Sequence, residues 1–167
     1  MKKTIEFTLN GEARTLDVAP WEILLDVLRE RLGVKSPKIG CERGECGTCT
    51  VLLDGRPVRS CLILAVEADG HTLVTVEGLN RNGLSRLQRS FVEHNSFQCG
   101  FCAPGIVVAA AELLEREPSP DRAAVQEALD GHLCRCTGYV PILDAVVAAG
   151  QPKASGSKPN KRRTAKK

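Results

Sequence analysis

Aromatic residues are scarce in this 167-residue chain: four Phe, one Trp and one Tyr make up 4% of it. The 43% hydrophobic content can still form real cores, which must then be mainly aliphatic. Histidine is nearly absent too. His71, His94 and His132 have no ligand-like spacing to one another and are expected to be structural or exposed. No apolar run approaches the ~18–20 residues that a membrane-spanning helix needs. Also missing are a Gly-x-Gly-x-x-Gly after a strand, a phosphate-binding loop and a nucleophile–base set. Substrate chemistry is therefore expected on another subunit.

Acids are absent from the last stretch of the chain. From Gln151 onward there are seven bases and no Asp or Glu, leaving sixteen bases against twenty acids, or −4, over residues 1–150. The basic end carries no interleaved aromatics, so a disordered tail over 151–167, solvated or docking a partner, is expected rather than a nucleic-acid site. Met1–Glu6 has no apolar stretch of the kind an export signal carries, because Glu6 and Asn10 interrupt it. The expected location is cytoplasmic.

Cysteine is the residue present in quantity: Cys41, Cys46, Cys49, Cys61, Cys99, Cys102, Cys134 and Cys136. Four disulfides would need an oxidising compartment, and with no export signal expected the thiols point to metal. Four lie within residues 41–61 and four within 99–136, which suggests two four-thiolate sites. The first reads Cys-x4-Cys-x2-Cys-x11-Cys, the spacing of plant-type 2Fe–2S ferredoxins and a poor fit to paired zinc ligands. Gly40, Gly44 and Gly47 are expected to supply positive φ and close approach where the backbone wraps the sulfurs. Glu42 and Glu45 beside them are read as solvated surface charges. The second group, Cys99-Gly-Phe-Cys102 and Cys134-Arg-Cys136, is weak evidence alone and strong beside the first.

Periodicity predicts an α+β chain. Strands are expected at Thr4–Leu9 and Ala13–Val18 around an Asn10-Gly11 turn, then at Thr50–Leu53 and Arg56–Arg59 around Asp54-Gly55, and at Leu73–Val76. One amphipathic helix is expected from Pro20 to about Leu32, stopped by Gly33. Beyond Leu79 the period becomes helical, with helices expected at Ser85–Glu93, Gly105–Glu115, Arg122–Leu129 and Ile142–Ala149. Pro104 falls at the start of the second, and Ser119-Pro120 reads as the cap of the third. Helix, cysteine pair and helix recur twice. Both pairs precede a helix, so two helix N-termini are expected to face the second site and favour its negative charge.

These motifs resemble the small iron–sulfur subunit of molybdenum hydroxylases, a family of xanthine dehydrogenases, aldehyde oxidoreductases, aerobic carbon monoxide dehydrogenases and dehydrogenases of N-heterocycles. The carrying motifs are Gly40-Cys41-Glu-Arg-Gly-Glu-Cys46-Gly-Thr-Cys49-Thr50, Ser60-Cys61, Gln98-Cys99-Gly-Phe-Cys102-Ala-Pro-Gly105 and Leu133-Cys134-Arg-Cys136-Thr-Gly-Tyr139. The resemblance spans roughly residues 4–149. It departs at His132, where Asn is usual, and at Ala103, where Thr is common. It implies a plant-type ferredoxin-like (β-grasp) domain over 1–77 and an all-α four-helix domain over 78–150. It further implies that Cys41, Cys46, Cys49 and Cys61 hold one 2Fe–2S cluster, and that Cys99, Cys102, Cys134 and Cys136 hold another. Gln98 and Cys136 would approach a molybdopterin on a large partner subunit, with FAD on a medium one. Tyr139 is expected to pack at a helix start. The function so implied is electron relay; the alternative is a stand-alone 2Fe–2S carrier or sensor.

Overall fold

The structure is a computed structural model and describes residues 1–79 and 83–151. All of the expected basic tail except Gln151 lies outside the described residues. Two hairpins build the sheet. Strands β1 (Lys3–Leu9) and β2 (Glu12–Val18) pair antiparallel through Asn10 and Gly11, at φ 53° and 78°. Strands β3 (Thr50–Leu53) and β4 (Arg56–Arg59) do the same through Asp54 and Gly55, at 48° and 79°. Both turns need two successive left-handed residues, which Asn-Gly and Asp-Gly adopt with least strain. Strand β5 (Thr72–Val74) enters the middle, parallel to β1 and antiparallel to β3, giving the order β2-β1-β5-β3-β4. Alternation along β1 turns Ile5, Phe7 and Leu9 inward, where they meet Val18, Leu24, Val27, Leu28, Val51 and Leu73.

The helix expected from Pro20 begins only at Leu24. The residues before it are held as an edge: Leu24 N–H donates to Ile63 O at 2.8 Å, Ala65 N–H donates to Glu22 O at 2.7 Å, and Ile23 bridges Leu64. Helix α1 (Leu24–Asp26) then widens into a π-helical stretch over Val27–Arg31, closed by Leu32 N–H on Val27 O. Gly33 at φ +70° ends it as expected. The last strand also differs from expectation. It stops at Val74, because Thr75 N–H turns to Asn10 Oδ1 and Thr75 O accepts from Gly78 and Leu79. Val76 therefore opens helix α2 (Val76–Leu79), whose Val76 and Leu79 pack into the second core.

That second core lies among α3 (Arg86–Glu93), α4 (Ala103–Arg116), α5 (Arg122–Ala128) and α6 (Val140–Gly150). Its centre is Phe91, Ile106, Ala110, Leu113, Val125, Ile142 and Val146. Ser85 caps α3 reciprocally with Gln88, Oγ accepting at 3.2 Å and Gln88 Oε1 accepting at 2.8 Å. The cap of α5 is Asp121, whose Oδ1 accepts from Ala124 N–H at 2.8 Å, and not Ser119. Ser119 is engaged elsewhere, donating to Gly150 O. Helix α4 also lies against β3 and β4, so the sheet and the helices share a face. Among the described residues no helix is long and apolar enough to cross a membrane.

Glu77 pins the junction between the two cores. Its carboxylate accepts from Ser36 N–H at 3.1 Å, Ser36 Oγ at 2.5 Å and Thr75 Oγ1 at 2.6 Å. Burial pushes its pKa up, but the bonds from Ser36 and Thr75 outweigh that and leave it below 4.5. A carboxylate lowered in the fold adds stability above its unfolded value and loses it as pH falls through the folded one. Glu77→Gln is expected to cost about 1 kcal/mol at neutral pH, since the site is part-exposed and screened. Urea melts of both proteins should converge well below pH 4.5; a gap that persisted there would contradict an ionic origin.

Candidate metal centres

The first cysteine loop runs from Gly40 to β3, with Cys61 returning to it on a short 3-10 turn after β4. Gly44 and Gly47 hold φ +82° and +74°, the left-handed turns that let the chain curl around its sulfurs. Gly40 has no such angle. It is needed for space, because a Cβ there would lie 2.8 Å from Cys46 Sγ. The curl frees amides: Cys46 N–H points at Cys41 Sγ over 3.4 Å. The N–H of Arg43, with help from that of Cys46, draws the Cys41 thiol down to about 7. Cys61 is buried against Cys49, and burial pushes it up to about 11. Glu42 and Glu45 are exposed, as expected, and Glu45 pairs with Arg43 at 2.9 Å.

In the helical half the same contrast recurs. Cys102 is the N-cap residue of α4, and burial pushes its thiol up to about 12. The exposed Cys99 is lowered by the N–H of Phe101 and by its neighbour Cys136, whose Sγ lies 3.6 Å away. Cys134 contacts Cys102; burial opposes its ionisation, but the Thr137 hydroxyl and nearby amides hold it low. Thr137 Oγ1 lies 3.2 Å from Cys134 Sγ. Gln98 is exposed and its Nε2 donates to Cys136 O at 3.1 Å, so the two residues tied to a pterin by resemblance sit on one surface. Tyr139 does more than pack. At φ 70° it precedes α6, and its hydroxyl accepts from Cys134 N–H at 2.9 Å. Being the sole Tyr, placed just after Thr137-Gly138, was the only sequence signal for that role.

The fold thus gathers all eight cysteines into two sets. Within each set the thiols stand in pairs, Cys41 with Cys46 and Cys49 with Cys61, then Cys99 with Cys136 and Cys102 with Cys134. Among the described residues no three of His, Cys, Asp or Glu converge closely enough for a single ion. Paired soft donors with amides aimed at sulfur suit a binuclear iron centre, in which each iron takes two thiolates. A mixed low and high thiol in each set leaves some sulfurs ready to bind while others need metal to ionise.

The two sets meet at the successive peptides after Cys46 and Gly47. Leu133 N–H donates to Cys46 O at 3.0 Å, and a Cβ on Gly105 would lie 2.1 Å from Gly47 O. In an ordinary helix Gly105→Ala would gain about 1 kcal/mol of helix propensity. Here the obstacle is backbone, so overpacking of roughly 1–3 kcal/mol or more prevails. The variant is expected to melt lower than the parent and lose iron faster to a chelator; equal or higher melting would refute the contact.

Residues 7–75 match the 2Fe-2S iron-sulfur cluster binding domain family and residues 75–147 the 2Fe-2S binding domain family. The chain is 50% identical over 145 residues to the nicotine 6-hydroxylase small subunit of Paenarthrobacter nicotinovorans, covering 87% of this chain and 88% of that protein. It is 47% identical over 146 residues to the nicotinate dehydrogenase small FeS subunit of Eubacterium barkeri, covering 87% and 93%. Among solved structures, quinoline 2-oxidoreductase from Pseudomonas putida 86 superposes with a TM-score of 0.86 at 47% identity, over 89% of this chain and 94% of that one. With this fold and these eight thiols, the chain belongs to the small 2Fe–2S iron–sulfur subunits of the molybdenum hydroxylase family.

Proposed function

We propose that this chain is the electron-relay subunit of an oxidoreductase complex, with domains at 1–77 and 78–150. Cys41, Cys46, Cys49 and Cys61 would hold one 2Fe–2S cluster, and Cys99, Cys102, Cys134 and Cys136 the other. The pairing of eight thiols into two sets, on opposite sides of the Cys46–Leu133 hydrogen bond, carries the reading. When bound, such clusters supply one-electron carriers in series between a molybdopterin on a large partner and FAD on a medium one.

The chain's own part is to hold, insulate and present. Backbone N–H groups at Cys41 and Cys99 stabilise negative charge on sulfur. Leu25 packs over Cys49 and Cys61 and keeps water from them. Around the second set, Phe101, Leu133 and Val140 are 47%, 58% and 56% exposed, an apolar margin beside Gln98 and Cys136. A large subunit seated there would bring its pterin to Gln98 and Cys136. Leu62, which follows Cys61 directly, is exposed and would be available to a flavin subunit. A cytoplasmic location accords with thiols kept for metal.

The test is purification from native cells, with a large molybdopterin subunit and a medium flavin subunit expected to co-elute. A homogeneous monomer active alone would overturn this reading. In the complex, Cys46→Ala should leave the second centre reducible by substrate while flavin reduction collapses. Cys134→Ala should abolish substrate reduction of the remaining centre. Loss of both paramagnetic signals from either single variant of a folded protein would contradict two separate sites.

A further inference from the structure

His132 is only 4% exposed, between the two cysteine-bearing regions, although eight thiols leave no ligand position for an imidazole. Its Nε2 lies 3.1 Å from Thr50 Oγ1 and 3.4 Å from Arg59 Nη1. Arg59 Nη1 donates to Thr50 Oγ1 at 2.8 Å and Nη2 donates to Gly131 O at 3.1 Å. Thr50 Oγ1 in turn donates to Gly47 O at 2.6 Å. One placement of protons satisfies four of these five contacts and leaves the 3.1 Å approach of His132 Nε2 to Thr50 Oγ1 without a hydrogen between them. The two hydrogens of Nη1 go to Thr50 and to His132 Nε2, the Thr50 hydrogen goes to Gly47 O, and the imidazole proton sits on Nδ1.

The positions matter as much as the bonds. Thr50 opens β3 one residue after Cys49, and Arg59 ends β4 two residues before Cys61. Gly47 follows Cys46, while Gly131 and His132 lead into Leu133 and Cys134. A Cβ on Gly47 would lie 2.5 Å from Gly131 O and 2.7 Å from His132 Cδ2, so the two backbones are pressed together here. Buried Arg59 Nε has no hydrogen-bond partner, which costs stability, while the His132 ring is drawn toward the backbone carbonyls of Leu129 and Asp130.

We infer that Arg59, Thr50 and His132 form a positioning clasp that holds the Cys46–Gly47 peptide against Leu133 and thereby sets the coupling between the two cysteine sets. This rests on the relay reading. The Leu133 N–H bond to Cys46 O joins the backbone of one set to the residue next to Cys134 in the other. His132 and Arg59 touch no cluster in this role; they act through the peptide they fix. Arg is required over Lys, because a planar fork reaches Thr50, His132 and Gly131 together.

The test uses the full chain carrying both clusters. His132→Phe keeps the ring volume and removes the acceptor; Arg59→Ala removes the donor from a half-buried position; His132→Asn restores an acceptor. Iron content, amide exchange of the 129–134 segment and the magnetic interaction between the two reduced centres are measured for each. Iron should stay at the parent level in all three. In His132→Phe and Arg59→Ala, exchange at the Leu133 amide should quicken several-fold and the mutual splitting of the two signals should change, with His132→Asn returning both toward the parent. Parent-like exchange and splitting in both damaging variants would overturn the clasp, as would an Asn variant behaving like Phe. If His132→Phe does not fold, Arg59→Ala decides alone. A parent lacking two centres would sink the relay reading, while exchange at Leu133 would still decide the clasp.

Discussion

A backbone that wraps sulfur anions must leave its own N–H groups without the partners that helices and sheets would provide. In this chain the unpaired amides of the Cys41–Cys49 loop point at thiols instead, and the loop keeps that shape only because left-handed residues turn it and other elements brace it. The braces come from both halves of the molecule. Lys38 O accepts from Thr48 Oγ1, Gly47 O accepts from Thr50 Oγ1, and Cys46 O accepts from Leu133 N–H. The carbonyls of Cys46 and Gly47 are thus engaged while amides earlier in the loop turn to sulfur. The electrostatics of the site and the joining of the two halves are one arrangement.

The second site solves the same problem with helix ends. Cys102 caps α4 and Tyr139 precedes α6, so first-turn N–H groups that have no helical partner lie beside the cysteines. Both helices are also anchored in the shared core through Ile106, Leu113, Ile142 and Val146. The aliphatic core answers the shortage of aromatics. Among the described residues only Phe91 and Phe97 make an aromatic contact, with ring centroids 5.0 Å apart.

Much of this was legible in the sequence. Asn10-Gly11 and Asp54-Gly55 announced their hairpins because two left-handed residues in a row have few chemical solutions. The cysteine spacing announced its loop because three thiols on a short curl constrain the glycines between them. What stayed hidden depends on partners distant along the chain. The late start of α1 follows from bonds to residues 63–65, and the end of β5 from a bond to Asn10, sixty-five positions away. The burial of His132 could not be read from its neighbours, since Thr50 lies eighty-two positions away. Asp121 displaced Ser119 as a cap because Ser119 had a better use against the end of α6. Glu42, held at φ 54° in the first loop, carries a strain no residue pattern marked.

The central claim is that the eight thiols form two binuclear iron sites rather than single-ion sites. Metal and acid-labile sulfide analysis of the intact, anaerobically purified protein tests it most directly. Two centres of two irons and two sulfides each should give four of both per chain, in a red-brown protein. A colourless protein containing zinc, or iron without labile sulfide, would contradict it.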